Sequence, residues 1–545
     1  MWSMIYSKAL CVALTTSSVA AFARGTAGNG SFLARQAGAA SVLNVSGGAA
    51  AAASTTSTST FSTLSSMDTP VQLPDFASKE EYLEYMESVS TLPKGFATGT
   101  AKGTFVSKEA PALGNLPVKG TVIYLTEGPT ENWAAVFTKN RVRTMIDRRS
   151  TEHCIVHTIT SGHYAHTHYI SSAYTHMQFP GAPIIVGKSR IASGGPLHAL
   201  VINNKVSNVC SGGDGVADSE LVCDAVAAAL KLPGGGKTVL PSSTGVIGWR
   251  LPAKELAADV VPAAIANLQT VSGLNAATAI MTTDRFPKVR SKTLSNGARL
   301  VGIAKGAGMI EPNMATMLSY LLTDADIPKA QLQAMLTQAV NGSYNSISVD
   351  GDESTSDTVA LIASNQVTGT DQDEFKAALM EVCQGLSADI VRNGEGTSHV
   401  IKVDILNFPG SELDARRLGR HIVNSPLFKC AVSGNDPNTG RLAAAIGSFM
   451  GKFKNDEPVD QMTLTLGGRV IFSNGKFVLE GDAVEQELSD HMEKAQFDEH
   501  ADYPAHQRFV EIVVDFGDRG GKSSATVLGS DLTGEYVVVN ADYRS

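Results

Sequence analysis

The sequence predicts a layered α/β protein, and three features carry that expectation. Short apolar runs bounded by Gly, Pro or Asn alternate with Ala- and Leu-rich windows of helical spacing. The last third of the chain is strand-rich. Hydrophobic residues make up 43% of the 545, and this length suffices for two or more compact units of roughly 100–200 residues each.

Taken in order, the first segment is not expected to fold. No Asp or Glu precedes Asp68, and Lys8, Arg24 and Arg35 are the only charges there. The runs Ala9–Leu14 and Ser18–Ala23 form a short apolar core ending in small residues, which suits a signal-like presequence over residues 1–21. That core is too short and too interrupted to span a bilayer. Residues 22–67, rich in Ser, Thr, Ala and Gly, read as a transit peptide. The junction at Phe22 resembles the boundary in two-part presequences of complex plastids. The expected address is the plastid (chloroplast) stroma, with the mitochondrial matrix as the alternative.

Residues 68–91 are expected to be an exposed lead-in containing a charged, helix-prone stretch at 79–90. Beyond Leu92, Gly120–Leu125, Ala182–Gly187 and Ala199–Ile202 read as strands. Asp218–Leu230, Ala253–Asn267, Ile327–Val340 and Asp373–Arg392 read as helices, the last interrupted at Gly385. Met317–Leu322 is apolar and fits either a helix or a strand. Met462–Leu466, Val470–Phe472, Phe477–Glu480, Phe509–Asp515 and Tyr536–Val539 read as strands.

Charge and cysteine usage exclude several function classes. The formal charge of −9 argues against nucleic-acid or polybasic membrane partners, which need clustered Lys and Arg. Cysteines at 11, 154, 210, 223, 383 and 430 include no C-x-x-C pair, so neither a disulfide framework nor a zinc signature is expected. Six of the twelve histidines crowd into Thr144–Gly181. His166 and His168 invite a metal reading, but the spacings match no zinc pattern, and the block reads as an insertion. Neither a metal nor a cofactor is expected. Gly234–Thr238 lacks the first glycine of a phosphate-binding loop, and the acidic run at Asp350 lacks the glycine a calcium loop requires.

The stretch from Lys305 to Leu318, KGAGMIEPNMATML, holds the chemistry. Thr316 there could be a simple helix N-cap. It could also be a nucleophile freed by chain cleavage, since a new α-amine with pKa near ~7.7–8.0 supplies the base that an internal threonine lacks. The residues of this stretch alone do not choose between the two.

Longer blocks do choose. They are Ala135–Val142, Ser243–Gly248, Ile280–Asp284, Gly302–Leu318, Ser346–Asp352, Asp436–Asn438 and Asn540–Ser545. Across Leu92–Ser545 the chain resembles the ornithine acetyltransferase family, the bifunctional glutamate N-acetyltransferases of arginine biosynthesis. The resemblance implies a layered α-β-β-α, self-processing N-terminal-nucleophile fold with a second, smaller α/β domain. It implies cleavage between Ala315 and Thr316, giving an alpha chain (92–315, with 144–181 inserted) and a beta chain (316–545), assembled as a heterotetramer of two of each. Thr316 would carry acetyl from N-acetylornithine to glutamate. Members differ in whether acetyl-CoA also donates. Thr244 and Gly245 would form the oxyanion hole, and Thr282, Lys305, Thr316, Glu395, Asn540 and Ser545 would contact substrate. Glu395 offers a countercharge to the ornithine ammonium, and Lys305 suits the shared α-carboxylate. In one block, Val201–Cys210, the chain departs from the family's Asn-Ser-Gly-x-Ala-Asn, losing a glycine where a positive φ is expected. A runner-up activity is an N-terminal-nucleophile aminopeptidase or amidase, and a non-enzymatic reading is an uncleaved homologue with a binding role.

Overall fold

The computed structural model describes residues 73–137, 179–311, 317–453, 459, 461–479, 481–518 and 520–541. In chain order the first ten strands are Phe96–Val106 (β1), Asn115–Leu125 (β2), Trp133–Phe137 (β3), Ala199–Asn203 (β4), Val239–Ser243 (β5), Lys288–Thr293 (β6), Arg299–Lys305 (β7), Leu318–Ala325 (β8), Ile347–Ser348 (β9) and Thr358–Val367 (β10). They build two sheets, ordered β1-β2-β4-β5 and β3-β10-β8-β7-β6, with β9 joining a third.

Side-chain alternation shows how these two sheets stack. In β7, Val301 and Ile303 face the interior shared with Phe96, Ile123, Leu200 and Leu240 of the first sheet. Their neighbour Leu300 points the other way, onto Leu332 and Leu336 of the helix Lys329–Asn341 and Phe375 and Leu379 of Gln372–Arg392. On the far side, Val118, Val122 and Val201 meet Val222 and Val226 of Gly215–Leu230. The order is therefore helix, sheet, sheet, helix, as the family resemblance implies. Each fully buried aliphatic side chain contributes about 1.5–3 kcal/mol.

The remaining strands are Val400–Phe408 (β11), Thr463–Leu466 (β12), Arg469–Ser473 (β13), Lys476–Phe477 (β14), Val510–Asp515 (β15) and Ser523–Ser530 (β16). With β9 they form a seven-stranded sheet, β14-β13-β12-β15-β11-β16-β9. Its separate core joins Ile401, Val403, Ile512 and Val514 to Leu418, Ile422, Phe449 and Leu488 of the covering helices.

Several expectations need correcting. Ala182–Gly187 opens a helix, Ala182–Ser193, rather than forming a strand. Pro183 sits in its first turn, where a missing N–H costs nothing, and Gly194 ends it in the left-handed conformation. Tyr536–Val539 lies in the helix Gly534–Ala541; the Thr533 hydroxyl caps it by accepting from the amides of Glu535 (3.2 Å) and Tyr536 (3.4 Å). Gln372–Arg392 is unbroken at Gly385, across which the Arg290 side chain passes. The helix Lys79–Val89 is docked rather than exposed: Tyr82 and Met86 are fully buried, and the Tyr82 hydroxyl donates to the Pro287 carbonyl at 2.6 Å. Ala253–Asn267 is helical but widens into a π turn at Leu256–Val260, just ahead of Pro262. The presequence and transit segments and residues 144–178 of the histidine-rich block lie outside the described residues. Among the described residues no helix is long and apolar enough to cross a membrane.

Candidate active site

The site gathers where the ends of the two stacked sheets meet. β5 ends at Ser243 and hands the chain to Thr244 and Gly245; β7 ends at Lys305, which pairs in register with Leu318 at the start of β8. Lys305 is 1% exposed, and its ammonium donates to the Thr244 hydroxyl at 3.1 Å. The Thr244 amide is used by the Asn203 carbonyl at 3.0 Å, so this residue offers its hydroxyl, not its backbone, to a ligand. Gly245 has φ +125°, and a Cβ there would stand 2.2 Å from the Lys205 carbonyl carbon. Only glycine fits.

The Lys205 segment carries the anticipated strain. Lys205, where the family pattern has glycine, adopts φ 73°, and Asn208 and Cys210 follow at 55° and 51°. A lysine thus holds a left-handed backbone directly against the Gly245 turn.

Behind Lys305 lies a buried ion pair that the sequence reading did not assign. Asp284 accepts from the Lys288 ammonium (2.6 Å), the Gly306 amide (2.7 Å) and the Thr282 amide (2.9 Å). Burial alone would raise the Asp284 pKa, but Lys288, Lys305 and the Gly306 amide hold it well below the usual carboxylate range. Burial pushes the Lys305 amine down, and Asp284 opposes this. Asp284 closes the block Ile280–Asp284, and its i,i+4 spacing to Lys288 is the signal that the sequence offers.

Glu395 follows the long helix that ends at Arg392. Its amide donates to the Ala307 carbonyl at 3.0 Å, which brings it beside the glycine-rich strand exit. A Cβ on Gly308 would lie 2.1 Å from the Glu395 carboxylate, so a side chain there would displace that carboxylate from its present place. The Asn540 side-chain amide donates to that carboxylate at 2.9 Å. Burial raises the Glu395 pKa, against hydrogen bonds from Thr283 and Asn540.

Two carboxylates hold the described residues on either side of positions 312–316. Asp350 accepts from the amides of Met309 (2.6 Å) and Ile310 (2.8 Å), and Asp357 accepts from that of Met317 at 2.8 Å. The sequence reading left these two carboxylates outside the site, although they fix both ends of the segment. Ala315, Thr316 and Ser545 lie outside the described residues. The structure therefore brings together Thr244, Gly245, Thr282, Lys305, Glu395 and Asn540.

A second polar knot could be mistaken for a hydrolytic triad. The Ser398 hydroxyl donates to Asp531 at 2.6 Å, and His399 Nδ1 lies 2.9 Å from the same oxygen. Nε2, which a triad turns toward its nucleophile, faces Asn435 at 3.0 Å instead. This knot joins the start of β11 to the residue after β16.

Fold and cluster together define an α-β-β-α sandwich with a buried lysine–carboxylate site at the sheet ends. The ArgJ family profile matches residues 156–545. The arginine biosynthesis bifunctional protein ArgJ 2 of Clostridium acetobutylicum is 35% identical over 378 residues, 68% of this chain and 89% of that protein. Two solved structures are also similar. An arginine biosynthesis bifunctional protein ArgJ from Bacillus halodurans has TM-score 0.36 and 30% identity, over 42% of this chain and 99% of that one. The ornithine acetyltransferase of Mycobacterium tuberculosis, in complex with ornithine, has TM-score 0.29 and 27% identity, over 41% and 95%. The chain belongs to the ArgJ family.

Proposed function

We propose that this enzyme moves an acetyl group from N-acetylornithine to glutamate, through an ester on Thr316, in arginine biosynthesis. The observation that carries the reading is one buried cluster holding a cation, Lys305, and a carboxylate, Glu395, whose backbone amide donates to the carbonyl of Ala307, two residues beyond Lys305. Ornithine needs both: Lys305 for its α-carboxylate and Glu395 for its side-chain ammonium. Glutamate shares only the first requirement.

The chemistry follows from cleavage at Ala315–Thr316. The freed α-amine of Thr316 takes the hydroxyl proton while the oxygen attacks the acetyl carbonyl. The Thr244 hydroxyl accepts from Lys305, which turns its own proton toward the developing oxyanion, and the Gly245 amide is the second donor. Each such donor is worth about 2.7–4 kcal/mol. The tetrahedral adduct collapses by breaking the C–N bond, and the α-ammonium returns the proton to the departing ornithine amine. Glutamate's amine then attacks the ester by the reverse route, and the Thr316 hydroxyl is regenerated.

The first test is product analysis with N-acetylornithine, with and without glutamate. Acetylglutamate that forms only when glutamate is present supports transfer. Free acetate at the same rate in both would favour the aminopeptidase or amidase reading. Substituting acetyl-CoA as donor decides whether it is a second source of acetyl. The acid-free first 67 residues support delivery to the plastid stroma, with the mitochondrial matrix as the alternative; a fluorescent fusion of those residues tests it. Resemblance to the family supports an assembly of two alpha and two beta chains, which mass measurement in solution checks.

A further inference from the structure

Asp284 has a second role available to it. Its two carboxylate oxygens are both committed to the backbone of the site: one accepts from the Thr282 amide at 2.9 Å, the other from the Gly306 amide at 2.7 Å. The oxygen that meets Gly306 also accepts from Lys288 at 2.6 Å, and both side chains of this pair have no exposure. The Lys288 ammonium donates onward to the Asn393 side-chain oxygen at 2.6 Å, two residues before Glu395. The Arg285 amide donates to the same oxygen at 3.2 Å. Three separate segments, carrying Thr282, Lys305 and Glu395, therefore converge on one buried ion pair.

The charges make the arrangement more than a brace. Lys305 faces Asp284, Lys288, Glu395 and Asp357, with the Thr244 hydroxyl as its neutral partner. Two ammonium groups thus share a buried space, and a buried like-charge pair favours loss of a proton from one of them. Asp284 is in contact with one and faces the other.

We infer that Asp284 is a positioning residue for acetyl transfer: it supplies countercharge to Lys305, beside Glu395 and Asp357, and fixes Thr282, Lys305 and, through Lys288 and Asn393, Glu395 in one arrangement. This rests on the reading of Lys305 as the ligand of the substrate α-carboxylate. Substituting asparagine keeps the size and removes the charge, and because its NH2 replaces one acceptor oxygen, the bond from Thr282 or those from Gly306 and Lys288 are lost at every pH. Lys305 then loses its proton at lower pH, and carboxylate binding weakens further where it has done so.

The test has one readout independent of turnover and one that depends on it. Protein labelled with carbon-13 at lysine Cε is titrated, and the Lys305 resonance is assigned by its loss in Lys305→Met. In Asp284→Asn the Lys305 midpoint should fall by about one pH unit or more, a tenfold change in the proton equilibrium. In parallel, the ratio of the variant's KM for N-acetylornithine to the wild-type KM should be constant at low pH and rise by a further factor of roughly ten once the pH has passed both midpoints, with the kcat ratio changed far less. An unshifted midpoint, or a KM raised equally at every pH, overturns the proposal and leaves Asp284 a structural residue. If the wild type transfers no acetyl, the functional reading falls, while the titration still judges the countercharge. Should Asp284→Asn not fold, the same comparison is made between Lys288→Met and Asp284→Asn/Lys288→Met, where no unpaired buried lysine remains at 288. Failure to fold in that background as well overturns the proposal in favour of a folding role.

Discussion

Lys205 holds a backbone conformation that suits glycine, and it does so against the turn that presents Gly245. A left-handed non-glycine residue costs about 1–2 kcal/mol, so Lys205→Gly should raise the urea midpoint by roughly that stabilisation; an unchanged or lower midpoint would show that the lysine side chain earns its place. Glu395 makes a sharper prediction about substrate choice. Glu395→Gln should weaken N-acetylornithine use by about 2–5 kcal/mol, the cost of removing one partner of a desolvated charge pair, and glutamate use by much less. Equal losses for both substrates would mean a damaged fold. Lys429 is the third case. It is 4% exposed, donates to the Ser530 hydroxyl at 3.4 Å, and burial pushes its amine down to about 8 despite Asp350, Asp531 and Glu311. The unfolded chain therefore binds more protons than the folded one between pH ~8 and ~10.4, so this residue's contribution to stability rises with pH across that window. The stability difference between Lys429→Met and wild type should fall by about 1 kcal/mol per pH unit there. Urea unfolding of both proteins at pH 8, 9 and 10 measures it, and a constant difference would show ordinary titration of Lys429.

The helix Gly534–Ala541 sets the corresponding question for a whole element. Asn540 reaches Glu395 from its last turn, and the Thr533 hydroxyl fastens its start to the Gly396 carbonyl at 2.6 Å. A peptide tag fused after Ser545 should therefore raise the KM for N-acetylornithine or abolish turnover, while the same tag ahead of Asp68 should be harmless; unchanged kinetics with a bulky C-terminal fusion would remove Asn540 and Ser545 from the site. That helix also shows where the sequence misleads. Three consecutive valines suggest a strand, but Val537 and Val538 are 64% and 66% exposed, so no sheet packing acts on them and the Thr533 cap decides. Ala182–Gly187 fails similarly, because Pro183 at a helix start outweighs its β-branched run. β2, β4, β12, β13 and β15 were legible, since each alternates or is uniformly apolar between turn residues. The candidate site was legible in pieces: Thr244 and Lys305 came from their blocks, and Glu395 from the positions that the resemblance implies. The Asp284–Lys288 pair was not, because what distinguishes it is burial against residues over a hundred positions away.

On the scale of the whole molecule, Thr316→Ala should leave a single uncleaved chain, detected as one species by intact mass, that transfers no acetyl. A cleaved Thr316→Ala protein would mean that another protease acts at that bond. The sandwich should survive the substitution, because its cores lie on strands and helices elsewhere. The order β3-β10-β8-β7-β6 has a further consequence for heredity. Strands from before and after residue 316 are interleaved in that sheet: β10 and β8 sit between β3 on one side and β7 and β6 on the other. Neither half can complete the sheet alone. A gene divided at the codon for Thr316 would yield two polypeptides that must be made together and in equal amounts, and a surplus of either would present unpaired strand edges. Selection would hold the two halves in one reading frame, with scission, where it occurs, left to the finished protein.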